Sequence, residues 1–196
     1  MKKLVLITLL FCNYFAYGQS AVYTLNFGSV EIGELKVQQS TKNGMTTIDV
    51  QSEATVSVGF KYKVSYHQKT VYKEGMLMNA EVEIYKNDEL YNSATTNWEG
   101  SFYKINHNGK KLKLDEPIHF SSTKLYFSEP ENIESLYSES DCEVRPVKKM
   151  TEHTYRVSEV HSKRKNDYTF KNGVLHEGTI HHTLINFHVK LKSYNP

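Results

Sequence analysis

Residues 46–58, TTIDVQSEATVSV, set Ile48, Val50, Ala54, Val56 and Val58 on one side of the chain and Asp49, Gln51, Glu53, Thr55 and Ser57 on the other. Only an extended strand sends successive side chains to opposite faces, so a run of this length excludes an amphipathic helix and requires a strand with one buried side. FKYKVSYHQKTVY, from Phe60 to Tyr72, repeats the pattern in a neighbouring strand, with Gly59 between the two. Val50, Val56, Val58, Tyr62 and Val64 are expected on the core side, and Lys61 and Lys63 in water. A register error of one residue would invert every one of these facings.

The same alternation recurs in AVYTLNF, EIGELKVQ, MLMNAEVEIY, ELYNSATTNW, HTYRVSEV, VLHEGTI and LINFHVKLK. Between the runs stand Asn43-Gly44, Asn87-Asp88, Asn108-Gly109 and Asn172-Gly173, whose tolerance of positive φ closes tight hairpins. Alternation rather than solid apolar runs leaves one sheet face wet and argues against a parallel α/β sheet. The 14 tyrosines and 9 phenylalanines suit strands, where flat rings pack across a pleated surface. The expected fold is therefore all-β: one strongly curved antiparallel sheet closing into a half-open or closed barrel, with a two-sheet sandwich as the second choice. Gly33 marks a bulge or sharp bend.

Residues 1–18 read as a signal peptide, with Lys2 and Lys3 ahead of an apolar run too short to span a membrane, and Ala16 and Gly18 as small residues at the cleavage site. Residues 19–196 then form a single β domain, exported to the periplasm or the cell exterior. A lipid anchor on Cys12 is the alternative, disfavoured by the bulky Phe11 before it. Losing Lys2 and Lys3 takes the formal charge from +2 to zero, which gives no electrostatic reason to bind nucleic acid. HSKRKND, around Lys163 to Lys165, reads as a short solvated turn. Of the 2 cysteines, Cys12 leaves with the leader and Cys142 stands alone, so stability must come from a hydrophobic core.

Alternation fails in IHFSSTKLYFSEPENIESLYSESD, residues 118–141. Ser128 followed by Glu129, Pro130 and Glu131 has the form of a helix start, predicting a short helix over 130–136 that lays Ile133, Leu136 and Tyr137 on the sheet. The segment also offers Ser121 or Ser128 as a nucleophile, His119 as a base and a glutamate to orient it. These are ingredients without the strand-turn-helix G-x-S-x-G elbow, so a cap and a solvated face describe them better. Leu125, Tyr126, Phe127, Ser128, Glu129 and Pro130 are accordingly expected to form a structural corner.

The remaining constellations are weaker. Among the 9 histidines, His176, His181, His182 and His188 cluster late in the chain without zinc-ligand spacing. If Ile180 pairs with Ile185, Glu177 faces His188 and shares a sheet face with His181, an arrangement more common as an ion pair than as a metal site. Glu129, Glu131, Glu134, Glu139, Asp141 and Glu143 lack a calcium-loop pattern and read as a solvated acidic face. No metal or cofactor is expected.

GSVEIGELKV, SSTKLYFSEPENIESLYSE and NDYTFKNGVL together resemble a family of exported Bacteroidota-type proteins of unassigned function, with an I-G-x-L-x-V opening, an L-Y-F-x-E-P core and a late N-x-Y-x-[FY]-x-N-G hairpin. The resemblance implies secretion and an all-β domain and carries over no catalytic residue. The expected function is a non-enzymatic binding or carrier module, holding an apolar small molecule or part of an envelope protein in the concave face of the sheet, with Tyr62, Tyr66, Trp98 and Tyr126 as candidate contacts. A periplasmic hydrolase using residues 118–141 is the alternative.

Overall fold

The computed structural model describes residues 17–58, 60–181 and 186–196. The expected leader through Ala16, with Cys12, lies outside them, as do Gly59, His182 and Ile185; the side chains of Val58 and Phe60 are likewise not described. Among the described residues fourteen strands form one antiparallel sheet. They are β1 (Tyr17–Phe27), β2 (Val30–Lys42), β3 (Met45–Val58), β4 (Phe60–Lys73), β5 (Met76–Lys86), β6 (Glu89–Trp98), β7 (Tyr103–His107) and β8 (Lys110–Leu114). After a long connection follow β9 (Ser135–Ser138), β10 (Glu143–Thr151), β11 (Thr154–Ser158), β12 (Lys165–Lys171), β13 (Val174–His181) and β14 (Asn186–Asn195). Each strand pairs with its neighbour in sequence, except that β1 pairs with β14 and β8 does not pair with β9. The sheet is thus curved and open, a half-open barrel.

Hairpin chemistry accounts for the meander. Asn43-Gly44, Asn108-Gly109 and Asn172-Gly173 each place two successive residues at positive φ, between 51° and 82°, and Asn87-Asp88 does the same at 52° and 65°. Such turns match the right-handed twist of the flanking strands. Val50, Val56 and Tyr62 are buried, Val64 is half-buried, Lys61 is exposed and Lys63 is half-exposed, reaching the Glu53 carboxylate at 3.3 Å. The register of β1 on β2 slips between Leu25 and Asn26, which pair with Gly33 and Glu31 and leave Ile32 as a bulge beside Gly33.

The helix expected over 130–136 does not form. Residues 130–133 make a turn in which the Ile133 N–H donates to the Pro130 carbonyl at 3.3 Å and Asn132 takes φ 58°, which a helix cannot contain. Leu136 and Tyr137 are buried, but as neighbours in β9, not as one helical stripe. Ser128 is exposed at the start of no helix. A single 3-10 turn instead occupies Ser122–Tyr126, and its N-terminal N–H groups are met from a distance: the Glu139 carboxylate accepts from Ser122 N at 3.1 Å and Thr123 N at 3.3 Å.

The connection carrying this turn is tied to both halves of the sheet. The Leu77 N–H, at the start of β5, donates to the Ile118 carbonyl at 2.8 Å, the Ile118 N–H donates to the Tyr103 hydroxyl at 3.1 Å, and the Tyr137 N–H donates to the Phe120 carbonyl at 3.0 Å. Its own residues Ile118, Ser121, Thr123 and Leu125 are buried. Burying Leu125 alone stabilises by about 1.5 to 3 kcal/mol. Between β6 and β9 the contacts are made by side chains, with the Thr96 and Tyr137 hydroxyls 2.8 Å apart.

Candidate functional site

The inward positions of β2 to β5 and of β14 bring Leu35, Ala54, Val64, Ile84, Phe187 and Val189 to the concave side, where they wall a cavity of about 200 Å³. Tyr66 from β4 and Leu125 and Tyr126 from the 3-10 turn form its floor. Burial raises the phenols of Tyr66, Tyr126 and Tyr168 well above the ordinary value, that of Tyr168 to about 12, so all three stay protonated at neutral pH. The Tyr66 hydroxyl donates to Gln68 Oε1, and the Tyr23 and Tyr126 rings pack at 5.6 Å.

Part of the lining is charged. Arg145, in β10, keeps only 9% of its side chain exposed and is held by Asp141 at 2.6 Å, Glu143 at 2.9 Å and Glu159 at 3.5 Å. Glu159 also binds Arg164 at 2.8 Å, tying together the two ends of the connection between β11 and β12. Asp141, Arg145, Glu159, Arg164, Asn166 and Tyr168 all line the cavity. The HSKRKND stretch is therefore more than a solvated turn, because Arg164 folds back to the cavity while its neighbour Lys163 is exposed.

Glu139 overturns the reading of the acidic residues as a solvated face. It is 1% exposed and accepts from the Ser121, Ser122 and Thr123 hydroxyls as well as from the two backbone N–H groups of the 3-10 turn. The Tyr72 hydroxyl closes the group against Ser121 and Thr123. A carboxylate buried this deeply is tolerable because every donor around it points at it. Ser121 is thus engaged by Glu139 and Tyr72, whereas the side chain of His119 is exposed and its carbonyl accepts from Lys124 Nζ at 2.6 Å. Among the described residues no histidine bonds to Ser121 or Ser128.

The expected contact residues divide. Tyr66 and Tyr126 line the cavity; Tyr62 lies under Lys86 Nζ at 5.2 Å from the ring centre, and Trp98 packs on Tyr103 with ring centres 4.8 Å apart. In the corner, Leu125 and Pro130 are buried, Phe127 packs partly on the core, and Glu129 meets His153 at 3.2 Å. The last hairpin is displaced from the expected register: Ile180 pairs with Phe187, so Glu177 faces Lys190 at 3.9 Å, and His188 faces Thr179. Among the described residues no cluster of histidine, cysteine, aspartate or glutamate is arranged to hold a metal ion.

Burial pushes the Cys142 thiol up to about 11 against a partial lowering by Tyr137. Alkylation of the folded protein at pH 8 is expected to run about a hundredfold slower than that of a free cysteine, in proportion to the lost thiolate. Equal rates before and after unfolding in urea would contradict this.

Residues 23–192 match the sequence pattern of DUF6134, a domain of unknown function. The chain belongs to the DUF6134 family. The fold of this DUF6134 chain is similar to that of a β-barrel-like protein of the domain of unknown function DUF1849 from Brucella abortus, known from a crystal structure, with a TM-score of 0.57 at 12% identity over 93% of this chain and 98% of that one. At that identity the likeness extends to the fold alone. No curated protein sequence matches the DUF6134 chain, and no helix among its described residues is long and apolar enough to cross a membrane.

Proposed function

We propose that this DUF6134 protein is an exported, non-enzymatic binding or carrier module that holds an apolar ligand, or an apolar segment of an envelope component, on the concave side of its open barrel. The observation that carries the reading is the cavity of about 200 Å³, lined by apolar and charged side chains. It exceeds the void of about 150 Å³ that accepts a benzene-sized molecule, and it is smaller than the roughly 300 to 1,000 Å³ of a drug-sized site. The occupant is accordingly slim: one chain end or a few apolar side chains, with the remainder outside. Export rests on the leader-like residues 1–18, with lipidation at Cys12 as the alternative.

Val64→Trp tests the reading by filling the cavity from its half-buried apolar wall. The variant is expected to keep its melting temperature within a few degrees and to lose at least about tenfold in affinity for alkyl-chain probes, because the indole takes the volume that the chain would occupy. Unchanged affinity in a folded Val64→Trp protein would remove the cavity as the binding site.

A further inference from the structure

We propose that the sheet edge at β8 is a docking site for an extended segment of another protein, one that alternates acidic and apolar residues and adds to the sheet as a further strand. The site is separate from the cavity, whose lining takes no residue from β7 or β8.

β8 stands at one end of the strand order, and among the described residues no strand pairs beyond it. The other end is covered: beside β9 the Phe120 carbonyl accepts from the Tyr137 N–H at 3.0 Å, and Ser121 bridges to Tyr137. At β8 the open backbone groups can be named. The Asn108 N–H donates to the Ser93 carbonyl at 2.9 Å, towards β6. Alternation then turns the backbone groups of Lys104 and Asn106 to β6 as well, and those of Tyr103, Ile105 and His107 to Leu114, Leu112 and Lys110 of β8. Lys111 and Lys113 therefore point their N–H and C=O groups away from β7. Among the described residues no backbone bond from another segment meets them.

The two faces of this edge choose the partner. Lys104 stands directly opposite Lys113, Lys111 shares their face, and all three are exposed. Like charges set opposite one another weaken a strand pair. Lys113 meets Asp115 at 2.6 Å and lies 4.7 Å over the Phe102 ring, while Lys104 and Lys111 have no ion pair among the described residues. On the reverse face Leu112 and Leu114 pack on the core beside the buried Ile105 and Tyr103, yet stay half-buried at the outermost position of the sheet. A strand with acids opposite Lys111 and Lys113 and apolar residues opposite Leu112 and Leu114 satisfies both faces at once. Edge lysines ordinarily discourage pairing. Here they repel the β8 edge of a second copy and favour an acidic strand, which makes the edge selective. The sheet already contains such a match, since β5 runs Glu81-Val82-Glu83-Ile84 with Glu81 opposite Lys69 of β4.

Amide NMR titration of the folded protein with end-blocked peptides decides the matter. Val-Glu-Val-Glu-Val is expected to bind about tenfold tighter than Val-Lys-Val-Lys-Val and than Glu-Glu-Val-Val-Val, which has the same composition in another order. At saturation it should slow hydrogen exchange of the Lys111 and Lys113 N–H groups at least about tenfold. Lys111→Glu combined with Lys113→Glu should turn the preference towards the lysine peptide. Equal affinity for the two orders of glutamate and valine, or unchanged exchange at Lys111 and Lys113, would overturn the proposal, because charge alone would then account for the binding. Absence of peptide binding would overturn it as well, and attachment to phosphatidylglycerol vesicles in its place would assign the lysines to a lipid surface. The peptide series on the unaltered protein gives the answer even where the double variant does not fold.

Discussion

Glu139→Ala is expected to destabilise the domain by about 3 to 5 kcal/mol, a fall of about 10 °C in melting temperature for a chain of this size. The carboxylate is the shared acceptor for the hydroxyls of Ser121, Ser122 and Thr123 and for two backbone N–H groups. Alanine leaves these donors without it in a buried place, and the strands beneath cannot rotate to take them over. The 3-10 turn then loses the carboxylate that caps it, and with it part of the hold on the buried Leu125 and Ile118. Glu139→Gln keeps one acceptor oxygen and replaces the other with a donor, so it should cost less, about 1 to 3 kcal/mol. Thermal or urea denaturation reads both. A Glu139→Ala protein as stable as the parent would mean that water satisfies the turn and that the corner is held by apolar contacts alone.

Gly33→Ala should cost about as much for a different reason. A Cβ at Gly33 would lie 1.9 Å from the Glu53 carbonyl oxygen and 2.8 Å from the Ala54 Cα. Both are backbone atoms of the paired strand, so no side-chain rotation relieves the overlap. The pairs Gly33–Ala54 and Glu34–Glu53 have to part, next to the bulge at Ile32 where the β1–β2 ladder is already interrupted. The expected loss is about 3 kcal/mol or more. Gly178→Ala is the control. It too sits in a strand, but its Cβ would meet the Tyr168 ring at 3.4 Å and the Asp167 carbonyl at 3.6 Å, ordinary contacts, so its midpoint should change little. If Gly33→Ala and Gly178→Ala moved the urea midpoint equally, the close approach of β2 to β3 would have no energetic weight.

These two positions also show how far the sequence could be read. Gly33 announced itself as a lone glycine in an alternating run, a local irregularity. The core side of β3 and β4 was readable because burial in a strand depends on a period of two that local sequence carries. The Asn-Gly turns were readable for a similar reason. Glu139 was not, because its role comes from the distance it crosses: it caps a turn that begins 17 residues earlier in the chain, counting from Ser122. The Ser-Glu-Pro-Glu pattern looked like a helix start, but Asn132 turns to positive φ and Ser135–Ser138 pairs as β9. The charged wall was hidden likewise, since Arg145 lies in β10 and meets Glu159 and Arg164, from the connection between β11 and β12, only once those strands have paired. Tyr66 and Tyr126 were singled out as aromatics, with no local signal to set them apart from Tyr62 and Trp98.

The pairing of β1 with β14 has a consequence for how the chain assembles. All other ladders join consecutive strands, so β1 to β8 and β9 to β14 can each grow by local hairpins with little loop entropy to overcome. One seam, with Ser20 opposite Asn195, supplies the long-range step. Before that seam closes, β1 and β14 are both bare edges. At high concentration the first half of one copy can zip onto the second half of another without breaking a native hairpin, which makes this seam the place where an exchanged dimer would arise.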